Sequence, residues 1–534
     1  QHWRWVLRDG RGNFLADHEV NLDPACSEYD GVIDLRGYLE SHAAPDRWRA
    51  DHARLLAEFG RWLGANVLGK AIGDKLRAPR VPLTVRVEVP APAACLLAVP
   101  LELAHAGGKP LALGGISLVS LVKGEGDGTA PEPETVGDRL RMLALFSLPT
   151  QATALALRRE RHALTRLISE IAQTRGAAIE LRVLQYGASR SALKDALEEA
   201  DGWDLIHFSG HGERGVLLLE QDDGSNDIIT TEALLDLLAP ARGRLKFATL
   251  SACWSAAATI AETRAWLGLP AADAREAPAA ATGSDTVLPS LARALANELG
   301  CAVLAMRYPV GDQFAIDLAA GLFRHLFENR QPLPRALAMA LSQAVPEAPP
   351  LSVATPALFG AAALALTLAP PAQQAPPPLY TEMSAFPDEP ARFVGRTGGL
   401  ARATRALAQN SGQAGVLFCG MAGAGKTTAA LELAYRYRPS RLQPNARFTH
   451  FVWWEAPAAG SDIGGALTSL AIAMEAQIAG WQMVHLVGSD DGMAALLRSL
   501  KSLVDNNSIL VVLDNLESLL TADGHWRDQR WAKL

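Results

Sequence analysis

Two stretches of the 534-residue chain end an apolar run on a side chain able to make and break bonds. In DLIHFSGHGERG the run Asp204–Phe208 stops at Ser209-Gly210-His211-Gly212. In FATLSACWSA it stops at Ser251-Ala252-Cys253. A cysteine thiolate is a nucleophile, and an imidazole within reach takes its proton and later returns it to a leaving amine. The two residues stand 42 positions apart, which is room for a strand–helix–strand unit that sets both on one edge of a parallel sheet. Glycines flanking His211 would let backbone approach a substrate closely. The amides of Gly212 and Cys253 are the natural oxyanion donors, and losing one such donor typically costs about 3 kcal/mol of transition-state stabilisation. His207 lies inside the apolar run and reads as structural, as do Cys26, Cys95, Cys301 and Cys419.

A second constellation lies near the C-terminus. GVLFCGMAGAGKTTAALELAYRY fits G-x-x-x-x-G-K-[ST] at Gly420, Gly425, Lys426 and Thr427, with Gly423, Ala424 and Thr428 completing the loop. The spacing predicts a strand, GVLFC, before the loop and a helix, KTTAALELAYRY, after it. Such a loop turns successive N–H groups toward phosphates at the positive end of the helix. Lys426 would reach the β- and γ-phosphates of ATP or ADP, and the Thr427 hydroxyl would ligate Mg²⁺. Asp514 follows five apolar residues in SILVVLD and is the expected water-mediated Mg²⁺ partner. Asn515, next to Asp514, offers no acid to activate water; Glu517 could supply one, or hydrolysis could be slow or absent.

The elements that must hold the first pair alternate. RMLALFSLP reads as a strand, and a helix from about Leu155 to Thr174 follows, with Leu157, Leu164, Leu167, Ile168 and Ile171 on one stripe. Then come strand IELRVLQ, helix SALKDALEEA, strand DLIHFS, a hairpin-like GVLLLE, a helix capped by Thr231, and strand LKFATLS. CAVLAMRY is a further strand and FAIDLAAGLFRHLF a helix. This alternation predicts a mostly parallel sheet with helices on both faces. At ordinary domain sizes the length predicts about three or four domains. The proline-rich stretch Pro370–Pro390 reads as a linker, and Lys123–Asp138 as a second boundary.

Composition narrows the classes. The chain is 49% hydrophobic and 20% charged, a globular profile, and its net charge of −7 offers no footprint for nucleic acid or an anionic membrane. Five scattered cysteines without a CxxC pair predict reduced thiols in the cytoplasm, and no zinc-type spacing occurs. The longest apolar run, Ala357–Ala369, falls short of the roughly 20 residues a membrane span needs. A first residue of Gln, and an end about 20 residues past Asp514, predict a piece of a longer protein.

LIHFSGHG, TLSACWSA and VLAMRYPVGDQFA, in that order, resemble the CHAT branch of the caspase-like peptidases, relatives of caspases and separase; VPLELAHAGGKPLAL resembles the PWELL-type motif upstream of that family's catalytic half. The resemblance covers nearly all of residues 1–365 and implies a pseudo-caspase half (1–135), an active peptidase half (136–368) and a protein substrate. The caspase cysteine signature is absent, so substrate preference does not carry over. Two charges compete for the primary specificity pocket: Arg307 would favour an acidic residue before the scissile bond, and Asp312 a basic one, unless Asp312 caps the helix that begins QFAIDL. After the 369–390 linker, ARFVGRTGGL resembles the entry motif of STAND or NB-ARC-like ATPases, which implies a P-loop NTPase α/β domain over 391–534 with Phe393, Val394 and Arg396 flanking the adenine. Such fusions imply a bacterial defence or cell-death effector that a sensor ligand, bound beyond this region, activates through nucleotide exchange and oligomerisation. An inactive interaction scaffold and an ATP-driven unfoldase–peptidase are the alternatives. The Ala- and Pro-rich segment Leu267–Asp285 would order on activation and complete the substrate groove.

Overall fold

The computed structural model describes residues 2–534 apart from 78, 80–81, 125–134, 200–201, 258–289, 374–382, 410, 439–441, 443–446, 459–464 and 488–489. The groove-completing segment Leu267–Asp285 lies outside the described residues, as does most of the Lys123–Asp138 boundary. Two compact units divide at residues 374 and 375.

In the first unit, eight strands form one sheet: β1 (Leu83–Pro90), β2 (Ile116–Lys123), β3 (Leu140–Ser147), β4 (Ile179–Gln185), β5 (Leu205–Gly210), β6 (Phe247–Ser251), β7 (Ala302–Met306) and β8 (Pro356–Phe359). Their order across the sheet is β1-β2-β8-β7-β6-β5-β3-β4, and every neighbouring pair is parallel except β7 and β8. The expected mostly parallel sheet is therefore present. It is continuous: strands from both sides of residue 135 belong to it. All eight residues of β3 and all six of β5 are buried, as strands covered on both faces must be.

Among the described residues, five helices flank the half of the sheet that holds His211 and Cys253: α1 (Leu157–Arg175), α2 (Arg190–Leu197), α3 (Thr231–Leu238), α4 (Leu291–Leu299) and α5 (Asp312–Phe323). The pleat sorts them. Ile206 and Phe208 of β5 face a core shared with Leu193, Leu234, Leu238 and Leu295 of α2, α3 and α4. His207, between them, faces the other way, where Phe323 of α5 meets its ring edge-on at 5.7 Å. The stripe foreseen on α1 is buried, and Gly176, at φ 58°, ends that helix in the left-handed conformation that glycine takes most readily. Two local expectations shift. The cap of α3 is Thr230, whose side chain accepts the Ala233 N–H. The interval between His211 and Cys253 holds a three-stranded antiparallel ribbon (Gly212–Glu213, Val216–Glu220, Asn226–Thr230) as well as α3.

At the sheet end away from His211, Asp204 is fully buried. It accepts from Lys246 Nζ at 2.8 Å, from the Arg141 N–H at 2.9 Å and from Arg244 Nη2 at 3.2 Å. Removing one partner of a buried ion pair leaves the other charge uncompensated, at a cost of about 3–5 kcal/mol. Asp204→Ala should lower the urea midpoint of this unit accordingly; an unchanged midpoint would contradict the role given to this cluster.

The second unit contains α6 (Thr397–Ala406), α7 (Lys426–Arg436) and two parallel strands, β9 (His450–Glu455) and β10 (Ile509–Asp514). Its core gathers Val452, Trp454, Leu467, Leu470 and Trp531. The strand expected over GVLFC is not formed: residues 415–419 carry no strand pairing, and Leu417 is 76% exposed. A strand needs a neighbour for its N–H and C=O groups, and among the described residues none runs beside this segment. Cys419 is exposed there and is not a packing residue.

Candidate active site

Cys253 sits on the tight turn that ends β6. Trp254 takes φ 60°, a strained conformation for a bulky side chain. The turn is stapled to the end of β7. The Ser255 hydroxyl, wholly buried, donates to the Leu250 carbonyl (3.2 Å) and accepts the Met306 N–H (2.9 Å), while the Ala256 N–H donates to the Met306 carbonyl (2.9 Å). The Val310 N–H lies 3.5 Å from Cys253 Sγ and donates toward it. Trp254 is covered by the Arg214 guanidinium, 4.8 Å above its ring, and meets Tyr308 edge-on. Burial pushes the Tyr308 hydroxyl well above its ordinary range.

His211 follows β5, the parallel neighbour of β6, with Ser209 opposite Ser251. The two strands therefore deliver both residues to the same sheet edge. His211 Nε2 lies 2.7 Å from the carbonyl oxygen of Thr153. A carbonyl only accepts, so Nε2 carries the proton and Nδ1 keeps the lone pair. Thr153 was invisible to motif reasoning because its backbone does the work, and no side-chain pattern reports that.

The glycines around His211 are required by the protein's own packing. A Cβ on Gly212 would lie 2.7 Å from the Cys253 carbonyl oxygen, and one on Gly210 would lie 2.7 Å from that of Ser147. The close approach is to the protein's own backbone, with Gly212 letting the histidine loop rest against the cysteine turn.

His211 and Cys253 line one open pocket, together with Leu155, Leu157, Glu160, Ser251, Val310, Asp312 and Ile316. Beneath it, His207 is structural, as expected. Its Nε2 pairs with Glu160 (3.1 Å), its Nδ1 with the Thr249 hydroxyl (2.6 Å), and Ser209 donates to the other Glu160 oxygen (2.6 Å). Cys301 is buried, and burial pushes its thiol up to about 12, leaving it protonated at neutral pH.

The two candidates for substrate charge part company. Arg307 is 3% exposed and is held by Glu102 of the VPLELAH segment, at 2.6 and 3.3 Å through its two terminal nitrogens. It is engaged in a bidentate buried pair and does not line the pocket. Asp312 does line it. Asp312 is not the cap of its own helix: Gly311 holds that position, and Asp312 Oδ2 instead accepts the N–H of Ala156, the N-cap of α1, at 2.7 Å.

In the second unit, Gly420, Gly423 and Gly425 take φ of 155°, 73° and 77°, and Gly425 caps α7. Positive φ at three glycines is the backbone a phosphate cradle requires. The Ala424 N–H donates to Met421, and Thr428 lies in the first turn of α7. Lys426 Nζ donates to the Gly420 carbonyl at 3.1 Å and pairs with Glu517 at 3.2 Å; the Thr427 hydroxyl donates to Asp514 at 2.8 Å. Glu517's own backbone N–H, and then the Lys426 ammonium, hold its carboxyl below the usual range. Arg396 brings its guanidinium within 3.9 Å of the position a Gly425 Cβ would occupy, whereas Val394 is 70% exposed. The donor set fits a phosphate with a divalent cation: an ammonium, a hydroxyl beside a carboxylate, and a helix N-terminus.

Among the described residues no helix is long and apolar enough to cross a membrane. No curated protein matches the chain. Two solved structures are similar at 13% identity. One is the Arg-specific cysteine proteinase gingipain R, with a TM-score of 0.34 over 48% of this chain and 56% of that one. The other is caspase-1 from Spodoptera frugiperda, with a TM-score of 0.26 over 44% of this chain and 91% of that one. The chain thus spans less than two thirds of the gingipain's length. The CHAT domain model matches residues 58–350, more than half of the sequence and the stretch that carries β1 to β7, His211 and Cys253. This chain belongs to the CHAT domain family.

Proposed function

We propose that the first unit is a caspase-like cysteine endopeptidase and that the second binds ATP or ADP with Mg²⁺ and regulates it. The observation that carries the peptidase reading is His211 with its Nε2–H tied to Thr153, beside Cys253 in one pocket. Nδ1 of His211 takes the Sγ proton, and the thiolate attacks the carbonyl carbon of the scissile peptide. The amides of Gly212 and Cys253 receive the developing oxyanion. The imidazolium returns the proton to the leaving amine, and His211 then activates water to hydrolyse the thioester. Asp312 favours a basic residue before the scissile bond, its charge lying in a pocket whose Leu155, Leu157 and Ile316 suit an aliphatic stem. The partner is thus a protein substrate.

In the second unit Lys426 and the amides of Gly423 and Gly425 would hold the phosphates, with Ala424 and Thr428 shaping the loop, Thr427 and Asp514 the cation, and Arg396, with Phe393 and Val394 ahead of it, the nucleotide side of the entry segment. A bound nucleotide supplies the phosphate charge that these groups neutralise. A sensor-triggered, oligomerising cytoplasmic effector in bacterial defence is the role this pairing of sites supports.

The reading is tested by mapping new protein N-termini after incubating the activated protein with a cell extract. They should follow Lys or Arg and vanish with Cys253→Ala. Termini that follow mainly Asp or Glu would refute the part given to Asp312.

A further inference from the structure

The connection between β3 and α1, residues 148–156, is held by a series of hydrogen bonds. Thr150 donates to the Gly224 carbonyl through its N–H (2.8 Å) and its hydroxyl (2.9 Å). Three residues on, the Thr153 carbonyl accepts His211 Nε2–H at 2.7 Å. Three further on, the Ala156 N–H donates to Asp312 Oδ2 at 2.7 Å. Glu160, in the first turn of α1, then anchors the helix on His207 and Ser209.

The Thr153 carbonyl chooses the tautomer of His211, because only an Nε2–H donor satisfies it and leaves Nδ1 as the base. That carbonyl lies between two fixed points, Thr150 and Ala156. The second of them depends on Asp312, which lines the same pocket as Cys253. We infer that Asp312 is a positioning residue for His211, acting through residues 153–156, in addition to meeting substrate charge. A substrate side chain that draws on Asp312 then affects the orientation of the base as well as binding, so recognition before the scissile bond enters kcat and not KM alone. The inference rests on the peptidase reading.

Three substitutions separate the bond from the charge. Asp312→Asn keeps an amide oxygen able to accept the Ala156 N–H and removes the charge; Asp312→Ala removes both. Ala156→Pro removes the N–H and leaves the carboxylate in place, and Ala156 φ of −80° suits proline. The measurement is the pH dependence of Cys253 alkylation by iodoacetamide in the full chain without substrate, read by mass spectrometry of the Cys253 peptide, with folding monitored by circular dichroism. At pH 6 the wild-type protein should be alkylated faster than His211→Ala, which has no imidazole to take the thiol proton. Asp312→Ala and Ala156→Pro should each slow alkylation at pH 6 by about tenfold, toward the His211→Ala profile, and Asp312→Asn should stay close to wild type. Folded Ala156→Pro protein with a wild-type profile overturns the inference, as does an equal shift in the Asn and Ala variants of Asp312, which would assign the effect to charge. If His211→Ala reacts like wild type, the dyad itself fails and the inference with it, a result distinct from the other two.

Discussion

Cys253→Ala should abolish peptide hydrolysis and leave the protein folded. The side chain is half-buried on a turn, and the turn is held by Ser255, Met306 and Ala256 rather than by the thiol. Loss of Sγ therefore removes the nucleophile at little cost in packing. The expected fall in kcat/KM is at least about 10⁴-fold, the scale seen when a nucleophile or its base is removed from a unit that acts together. His211→Ala should give a similar loss, and the double variant scarcely more, because once either member is missing the other has no partner. The check is a peptide substrate with a basic residue before the scissile bond, assayed with the activated protein, alongside urea unfolding. Residual activity above about one per cent in purified Cys253→Ala would remove Cys253 from its role.

Lys426→Ala should weaken nucleotide binding by about 10- to 100-fold, the worth of a charge-assisted bond to phosphate of roughly 1.5–3 kcal/mol. In this structure Lys426 bonds to the Gly420 carbonyl and Glu517, contacts at the protein surface that a phosphate would replace. Asp514→Ala should act differently. It frees the Thr427 hydroxyl and should weaken binding chiefly in the presence of Mg²⁺, since its carboxylate is the cation's share of the site. Calorimetric titration of ADP and ATP, with and without Mg²⁺, separates the two. Residues 1–374 form a compact unit of their own, so Lys426→Ala should leave the urea transition of that unit in place. Equal affinity for ATP in wild type and Lys426→Ala would refute the assignment.

The residues proposed to do the chemistry were legible because their signals are local. An apolar run that stops at Gly-His-Gly, or at Ala-Cys, marks a buried strand with a reactive residue at its exit, and β5 and β6 carry His211 and Cys253 to one edge as adjacent parallel strands. The stripe on α1 and the glycines before Lys426 were readable for the same reason: periodicity and positive φ are properties of a few consecutive residues.

What the chain does with its charges was decided only by the tertiary structure. Arg307 pairs with Glu102, 205 positions away, and does not line the pocket of His211 and Cys253. Asp312 bonds to an N–H 156 positions away rather than to its own helix, and His211 is oriented by a carbonyl 58 positions away that no side-chain motif records. The residues GVLFC have every local mark of a strand, yet remain unpaired because strand formation needs a neighbouring edge. Local sequence sets which groups are present and which backbone they prefer. Which of them meet depends on how separate elements pack, since a buried charge or N–H takes the partner that packing brings to it.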